Sequence, residues 1–299
     1  MKIGIVGAGA IGLTFAAALA SAHDVVVLAR RAAVAERIAH DGIALAGELE
    51  DEQIPVAATA DASALADRDA VIVAVKSQST AEALAPLRGI LRPNALVASV
   101  QNGIENAEVA RAALPGTRVV AGSTTQGAVA LGDGRVRPIG RGVTTFERDD
   151  AASPTSEELA AAFAAAGLEA RVTGDAAAML WRKLVVNAAI NPLCALAGRA
   201  NGAVVTDPDL QPLARALAAE AAAVALAEGA DIGDAWAIVE AAATGSMANR
   251  NSMLQDLDAG RPTEIEALSG AVVRRGRARG VPVPLTETVL RLVRARERA

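Results

Sequence analysis

Three features of the sequence predict its fold class. A short apolar strand runs straight into a G-x-G-x-x-G loop, further short apolar runs alternate with helix-like stretches through residue 172, and beyond Gly174 the strand signals vanish. Alternating strands and helices build a parallel sheet covered on both faces. The expected architecture is therefore α/β: an N-terminal Rossmann-type dinucleotide-binding domain over residues 1–174, followed by an all-helical C-terminal domain over 175–299.

Residues 2–6, KIGIV, form the first strand, and Gly7-Ala8-Gly9-Ala10-Ile11-Gly12 follows at once, ahead of a helix over 13–22. That order gives the motif its meaning. Gly7 permits the tight turn, Gly9 lets backbone approach a pyrophosphate, and Gly12 lets helix pack on strand. Backbone N–H groups at the helix start then face the phosphates. The second strand, 25–28, ends where a carboxylate would grip the ribose 2′-hydroxyl of NAD, but Arg30 and Arg31 stand there instead. A guanidinium pairs with a 2′-phosphate that a carboxylate would repel, which points to NADP(H).

The stretch 43–58 is short and mixed, with the look of a hairpin. A clearer strand, 70–75, ends at Lys76, and another, 95–100, ends at Gln101-Asn102-Gly103. Carboxyl ends of strands line the ligand crevice of an open α/β sheet, so Lys76 and Asn102 are placed for a cofactor, although an ordinary strand-end lysine and an Asn-Gly turn would look the same. The run 118–121 closes in GSTTQGA, 122–128. Residues 129–146 read as strand and turn, Pro154 opens a helix over 155–166, and 168–172 is the last strand.

The helical half opens on WRKLVVNAAINPLCAL, 181–196, whose apolar residues wrap most of the way round a helix and mark it as a core element. One narrow polar line remains. Lys183, Asn187 and Asn191 stand i, i+4, i+8 within about 80° of arc. A buried ammonium or amide left unpaired costs several kcal/mol, so something polar must face them. Of 29 basic residues only Lys2, Lys76 and Lys183 are lysine. A lysine kept inside an apolar helix by an arginine-writing chain suggests a side chain that must give up its proton; a structural lysine paired with a carboxylate fits equally well. Pro192 removes a backbone donor, so the helix is expected to bend or open there. Asn201-Gly202 ends a loop, and helices are expected over 207–229 and 234–243. A second polar cluster follows, from Ser252 to Asp256 and from Gly260 to Ile265. Pro262 suits a helix's first turn, with Glu264 in that turn gaining from the dipole. The helix should continue over 267–279, its four arginines forming a solvated face.

Composition excludes several chemistries. At 299 residues and 52% hydrophobic the chain can pack two cores. A net charge of −5 and 2% aromatic residues leave no nucleic-acid footprint. No charge-free lipophilic run or signal peptide is read, so no membrane partner and a cytoplasmic location are expected. The lone Cys194 forms neither an internal disulfide nor a multi-cysteine metal site. There is no tyrosine for a Tyr/Lys acid pair, and the two histidines, His23 and His40, both fall early in the chain.

Together GAGAIG, Lys76, QNG at 101–103, WRKLVVNAAINPL at 181–193 and SMLQDLDAGRPTEIEALSG at 252–270 resemble the ketopantoate reductase (2-dehydropantoate 2-reductase) family over nearly the whole chain. The last two motifs are the specific ones. The resemblance implies NADPH-dependent reduction of 2-dehydropantoate to (R)-pantoate, a step of pantothenate biosynthesis, with Lys183 as general acid. It places the keto acid's carboxylate and hydroxyl on Asn187, Asn191, Asn201 and Ser252. Lys76, Asn102, Ala128 and Glu264 fall along the nicotinamide and its ribose, with Arg30 on the 2′-phosphate. Glu264 would keep Lys183 protonated. A paralogue acting on another small 2-keto or 3-keto acid remains the alternative, and a non-catalytic NADP(H)-binding regulator a more distant one. The resemblance admits a homodimer as well as a monomer.

Overall fold

The computed structural model describes residues 1–47 and 50–298. The chain divides into two compact units: Met1–Gln101 with Asn106–Ala176, and Asn102–Glu105 with Ala177–Ala299. The first unit has the expected α/β build and the second is helical.

Among the described residues twelve strands belong to the first unit: β1 Lys2–Val6, β2 Asp24–Leu28, β3 Ile43–Leu45, β4 Glu52–Ile54, β5 Ala57–Thr59, β6 Ala70–Val73, β7 Leu96–Ser99, β8 Arg118–Thr124, β9 Gly127–Gly132, β10 Arg135–Ile139, β11 Val143–Glu147 and β12 Glu169–Thr173. Eight form the main sheet in the order β12-β11-β8-β7-β6-β1-β2-β5. All its pairings are parallel except β8 with β11. β6 and β7 are buried at every position, as uninterrupted apolar runs in a doubly covered sheet must be. From β1 the order runs to β2 on one side and to β6 on the other, so the switch point of the sheet falls at the carboxyl end of β1, where Gly7 lies.

The remaining strands form a smaller sheet, β4-β3-β10-β9. β3 and β4 pair antiparallel as the hairpin reading expects, though residues 48–49 within it lie outside the described residues. Sequence periodicity missed the sheet itself: two of its strands are three residues long, and β3 finds its other neighbour, β10, far along the chain. Phe163 anchors the core of this unit, edge-on to both Phe15 and Phe146 at centroid separations of 5.1 and 5.2 Å. Its helix, Ser156–Ala165, starts with a full capping box between Thr155 and Glu158.

The helical unit is built on Ala176–Ala197, whose buried residues pack with those of Leu210–Ala227, Ala235–Gly245, Ser252–Asp258, Ser269–Arg279 and Pro284–Arg296. Helix Ala176–Ala197 does not open at Pro192: it continues to Ala197, its residues from Ala188 to Ala195 all buried, so packing holds the turn that lacks a donor. Leu210–Ala227 is long and apolar enough to cross a membrane by length and composition alone, with a mean hydropathy of 1.2. In the fold it buries six residues in this core, and its Glu220 accepts from the backbone N–H groups of Leu285 and Thr286.

Two expectations are corrected here. Pro262 and Glu264 are not in a helix's first turn, because the helix starts only at Ser269. Thr263 is held by Glu297 through both its N–H (2.8 Å) and its hydroxyl (2.6 Å), and residues 265–268 form a turn instead. The arginines of Ser269–Arg279 are not merely solvated. Arg274 pairs with Glu105 at 2.6 Å, and Arg275 and Arg279 both approach Glu228.

Candidate active site

In the helical unit the polar line of Ala176–Ala197 keeps its geometry, with Asn191 buried and Lys183 and Asn187 half-buried. None of the three has a hydrogen-bond partner among the described residues. Burial pulls the Lys183 ammonium down from its ordinary 10.5 to about 8, and the charge of Glu264 resists that fall. Lys183 and Glu264 therefore act on one another. The Glu264 carboxylate in turn accepts from Asn102 Nδ2 at 2.8 Å. Asn102 reaches it from the segment Asn102–Glu105, where Gly103 at φ +94° turns the backbone against Ala267.

Asn201 and Ser252 are brought together by an intermediary. Asn251 caps helix Ser252–Asp258 by accepting from Leu254 N–H, and its Nδ2 donates to Asn201 Oδ1 at 3.1 Å. Ser252, the next residue, is exposed at the first turn. Cys194 is a buried thiol pushed up to about 11 by its surroundings, and so inert. Among the described residues no three His, Cys, Asp or Glu side chains gather into a metal site.

The other group of residues belongs to the first unit. Gly7 takes φ +116° to make the turn. A Cβ on Gly12 would lie 2.0 Å from the Gly7 carbonyl oxygen, whereas one on Gly9 would meet nothing within 4 Å. The helix begins at Ala10 rather than at residue 13, so the uncommitted N–H groups of its first turn are those of the motif itself. Arg30 is exposed, and Arg31 is engaged by Asp133. Lys76 follows β6 and opens a short 3-10 turn, and Ala128 lies in β9 opposite Pro138.

Two family models match the chain, one in each part. Residues 3–150 match the family model for ketopantoate reductase PanE/ApbA, and residues 175–297 match the model of its C-terminal part. The chain belongs to the ketopantoate reductase family. A 2-dehydropantoate 2-reductase of Halobacterium salinarum is 36% identical, covering 100% of this chain and 99% of its own. The crystal structure of a PanE/ApbA family ketopantoate reductase from Ralstonia eutropha superposes with a TM-score of 0.91 at 35% identity, over 100% of this chain and 99% of that one. A complex of D-mandelate dehydrogenase with NADH gives 0.87 at 25% identity, with coverage of 100% and 99%. For a ketopantoate reductase family member, the residues to which the sequence assigned no role are supports. Gln101 spans the ends of β6 and β7, donating to Val75 O at 2.9 Å and Thr80 Oγ1 at 2.7 Å while accepting from Ser99. Asn251 could have been found, since an Asn just ahead of a helical run is a cap signal.

Proposed function

We propose that the chain reduces 2-dehydropantoate to (R)-pantoate with NADPH, residues 1–174 binding the cofactor and 175–299 the keto acid. The observation that carries this reading is the Lys183 ammonium. It shares a helix face with Asn187 and Asn191, burial lowers it to about 8, and the charge of the Glu264 carboxylate opposes that fall. The open space at Gly9, the free first-turn N–H groups and the exposed Arg30 suit a dinucleotide with a 2′-phosphate.

A bound nicotinamide cofactor would supply hydride to the carbonyl carbon. Negative charge then grows on the carbonyl oxygen, and Lys183, charged beforehand, gives that oxygen its proton and becomes neutral. Arginine could not, because it stays protonated. Glu264 keeps Lys183 charged in the resting site, and Asn102 holds the carboxylate in place. Asn187, Asn191, Asn201 and Ser252 would fix the carboxylate and hydroxyl of the substrate, while Lys76 and Ala128 would hold the cofactor.

The test is NADPH oxidation by the purified protein with 2-dehydropantoate, a panel of other small 2-keto acids, and NADH as the comparison cofactor. Rapid turnover of 2-dehydropantoate with a preference for NADPH is expected. A second reading, reduction of a different 2-keto acid, is favoured by the likeness to D-mandelate dehydrogenase. Turnover confined to another acid of the panel would establish it.

A further inference from the structure

Asn201 is one link in a chain of four hydrogen bonds whose direction is set at both ends. At one end the Leu254 backbone N–H donates to Asn251 Oδ1 at 3.0 Å. A backbone N–H can only donate, so Asn251 must turn its oxygen to the helix and its amide nitrogen outward. That nitrogen donates to Asn201 Oδ1 at 3.1 Å. At the other end the Ser246 hydroxyl donates to the Ala242 carbonyl at 2.7 Å. A carbonyl can only accept, so the hydroxyl has used its one proton and can only accept from Asn201 Nδ2, which lies 3.1 Å away. Both ends impose the same orientation on the Asn201 amide. Asn251 is buried, and the backbone on either side of Asn201 is also tied down: its N–H donates to Asn249 O at 2.9 Å, and that of Gly202 donates to Met247 O at 3.1 Å.

We infer that Asn251 and Ser246 are positioning residues for substrate recognition: they lock the Asn201 amide so that its remaining N–H, never its oxygen, meets an oxygen of the keto acid. The inference rests on the proposed role of Asn201 in holding the substrate. Its chemical consequence is selection for a group that accepts at that point, such as a carboxylate, over one that donates. An amide free to rotate could serve either; a locked one serves only the first.

The informative variant is N251D. A carboxylate at this place still caps helix Ser252–Asp258, with added gain from the helix dipole, so the fold is retained. Facing Asn201, however, it can only accept. The Asn201 amide must then turn over, its nitrogen toward the carboxylate and its oxygen toward Ser246, whose hydroxyl swings from Ala242 O to donate to it, and it offers the substrate oxygen a lone pair instead of an N–H. The expected result is a rise in KM for the keto acid of roughly tenfold or more, with little change in kcat. NADPH affinity and Tm should match the parent protein. The rise should shrink as pH falls and the introduced carboxyl takes up a proton, because the acid form can donate to Asn201 as the original amide does. A merely structural role for Asn251 would give no such pH-dependent recovery.

N201A is measured beside it. If N201A raises KM and N251D does not, the lock is overturned while the substrate role of Asn201 stands. If N201A itself leaves KM unchanged, the proposed role of Asn201 is wrong and the lock falls with it. A rise in both, with recovery at low pH only in N251D, supports the inference.

Discussion

Asn102 donates to Glu264 across 2.8 Å, joining residues 162 positions apart in the chain. Glu264 is the carboxylate whose charge opposes the effect of burial on Lys183. Proton supply in the proposed reaction therefore depends on that carboxylate. With Lys183 titrating near pH 8, kcat for keto-acid reduction should fall above about pH 8, as the ammonium is lost, while oxidation of the hydroxy acid should rise through the same range. Glu264→Gln removes the charge that raises the lysine, so both limbs should move to lower pH. A pH profile whose limbs stay in place would remove Glu264 from this role.

Lys183 also has a thermodynamic signature. Its folded value of about 8 lies below the ordinary 10.5, so between those values the unfolded chain binds more protons and stability rises with pH. Below pH 8 the folded state carries the whole penalty. Lys183→Met should therefore raise Tm at pH 7, with the advantage closing as pH approaches 10.5. Partial exposure of the side chain limits the gain to about 1 kcal/mol, or a few degrees. Activity should fall by about two orders of magnitude or more. A lower Tm at pH 7, by thermal unfolding, would contradict the desolvated ammonium.

Gly103→Ala tests the segment that holds Asn102. The backbone there lies at φ +94°, and a Cβ would come within 2.7 Å of the Ala267 carbonyl oxygen. We expect destabilisation of about 1–3 kcal/mol, from strain and collision together. The shifted Asn102 should also weaken kcat about tenfold, a lost hydrogen bond's worth. A lower Tm with kcat intact would show that Glu264 needs no help from Asn102.

Cofactor choice should rest on one arginine of the pair. Arg31 is engaged by Asp133, whereas Arg30 has no hydrogen-bond or ion-pair partner among the described residues. Arg30→Ala should raise the Kd for NADPH by roughly tenfold to a hundredfold, the range for a lost charge-assisted contact, and leave NADH nearly unchanged. Arg31→Ala should do much less. Equal weakening of both cofactors by Arg30→Ala, read by fluorescence titration, would refute the assignment to the 2′-phosphate.

Features legible in the sequence were those that repeat locally. The strand-loop-helix at residues 2–22 declares itself by an apolar run and glycine spacing, and the Lys183–Asn187–Asn191 line by a four-residue interval. What escaped depends on distant partners. The start of helix Ser269–Arg279 was misplaced because Thr263 is claimed by Glu297, 34 residues away. The smaller sheet was missed because β3 is completed by β10. Asn251 and Ser246 went unnoticed because an amide's orientation is a property of its neighbours, and those neighbours lie 50 and 45 residues further along the chain.

The assignment of Asn102–Glu105 to the helical unit has a genetic consequence. A gene cut near codon 176 would not yield two inheritable modules, because the carboxylate at Glu264 would leave its partner behind on the other fragment. Recombination that exchanged only the C-terminal half between relatives would pair each new Glu264 with an old Asn102. Residues 102–105 are thus expected to change in step with the loop around 264–267 rather than with the strands that flank them.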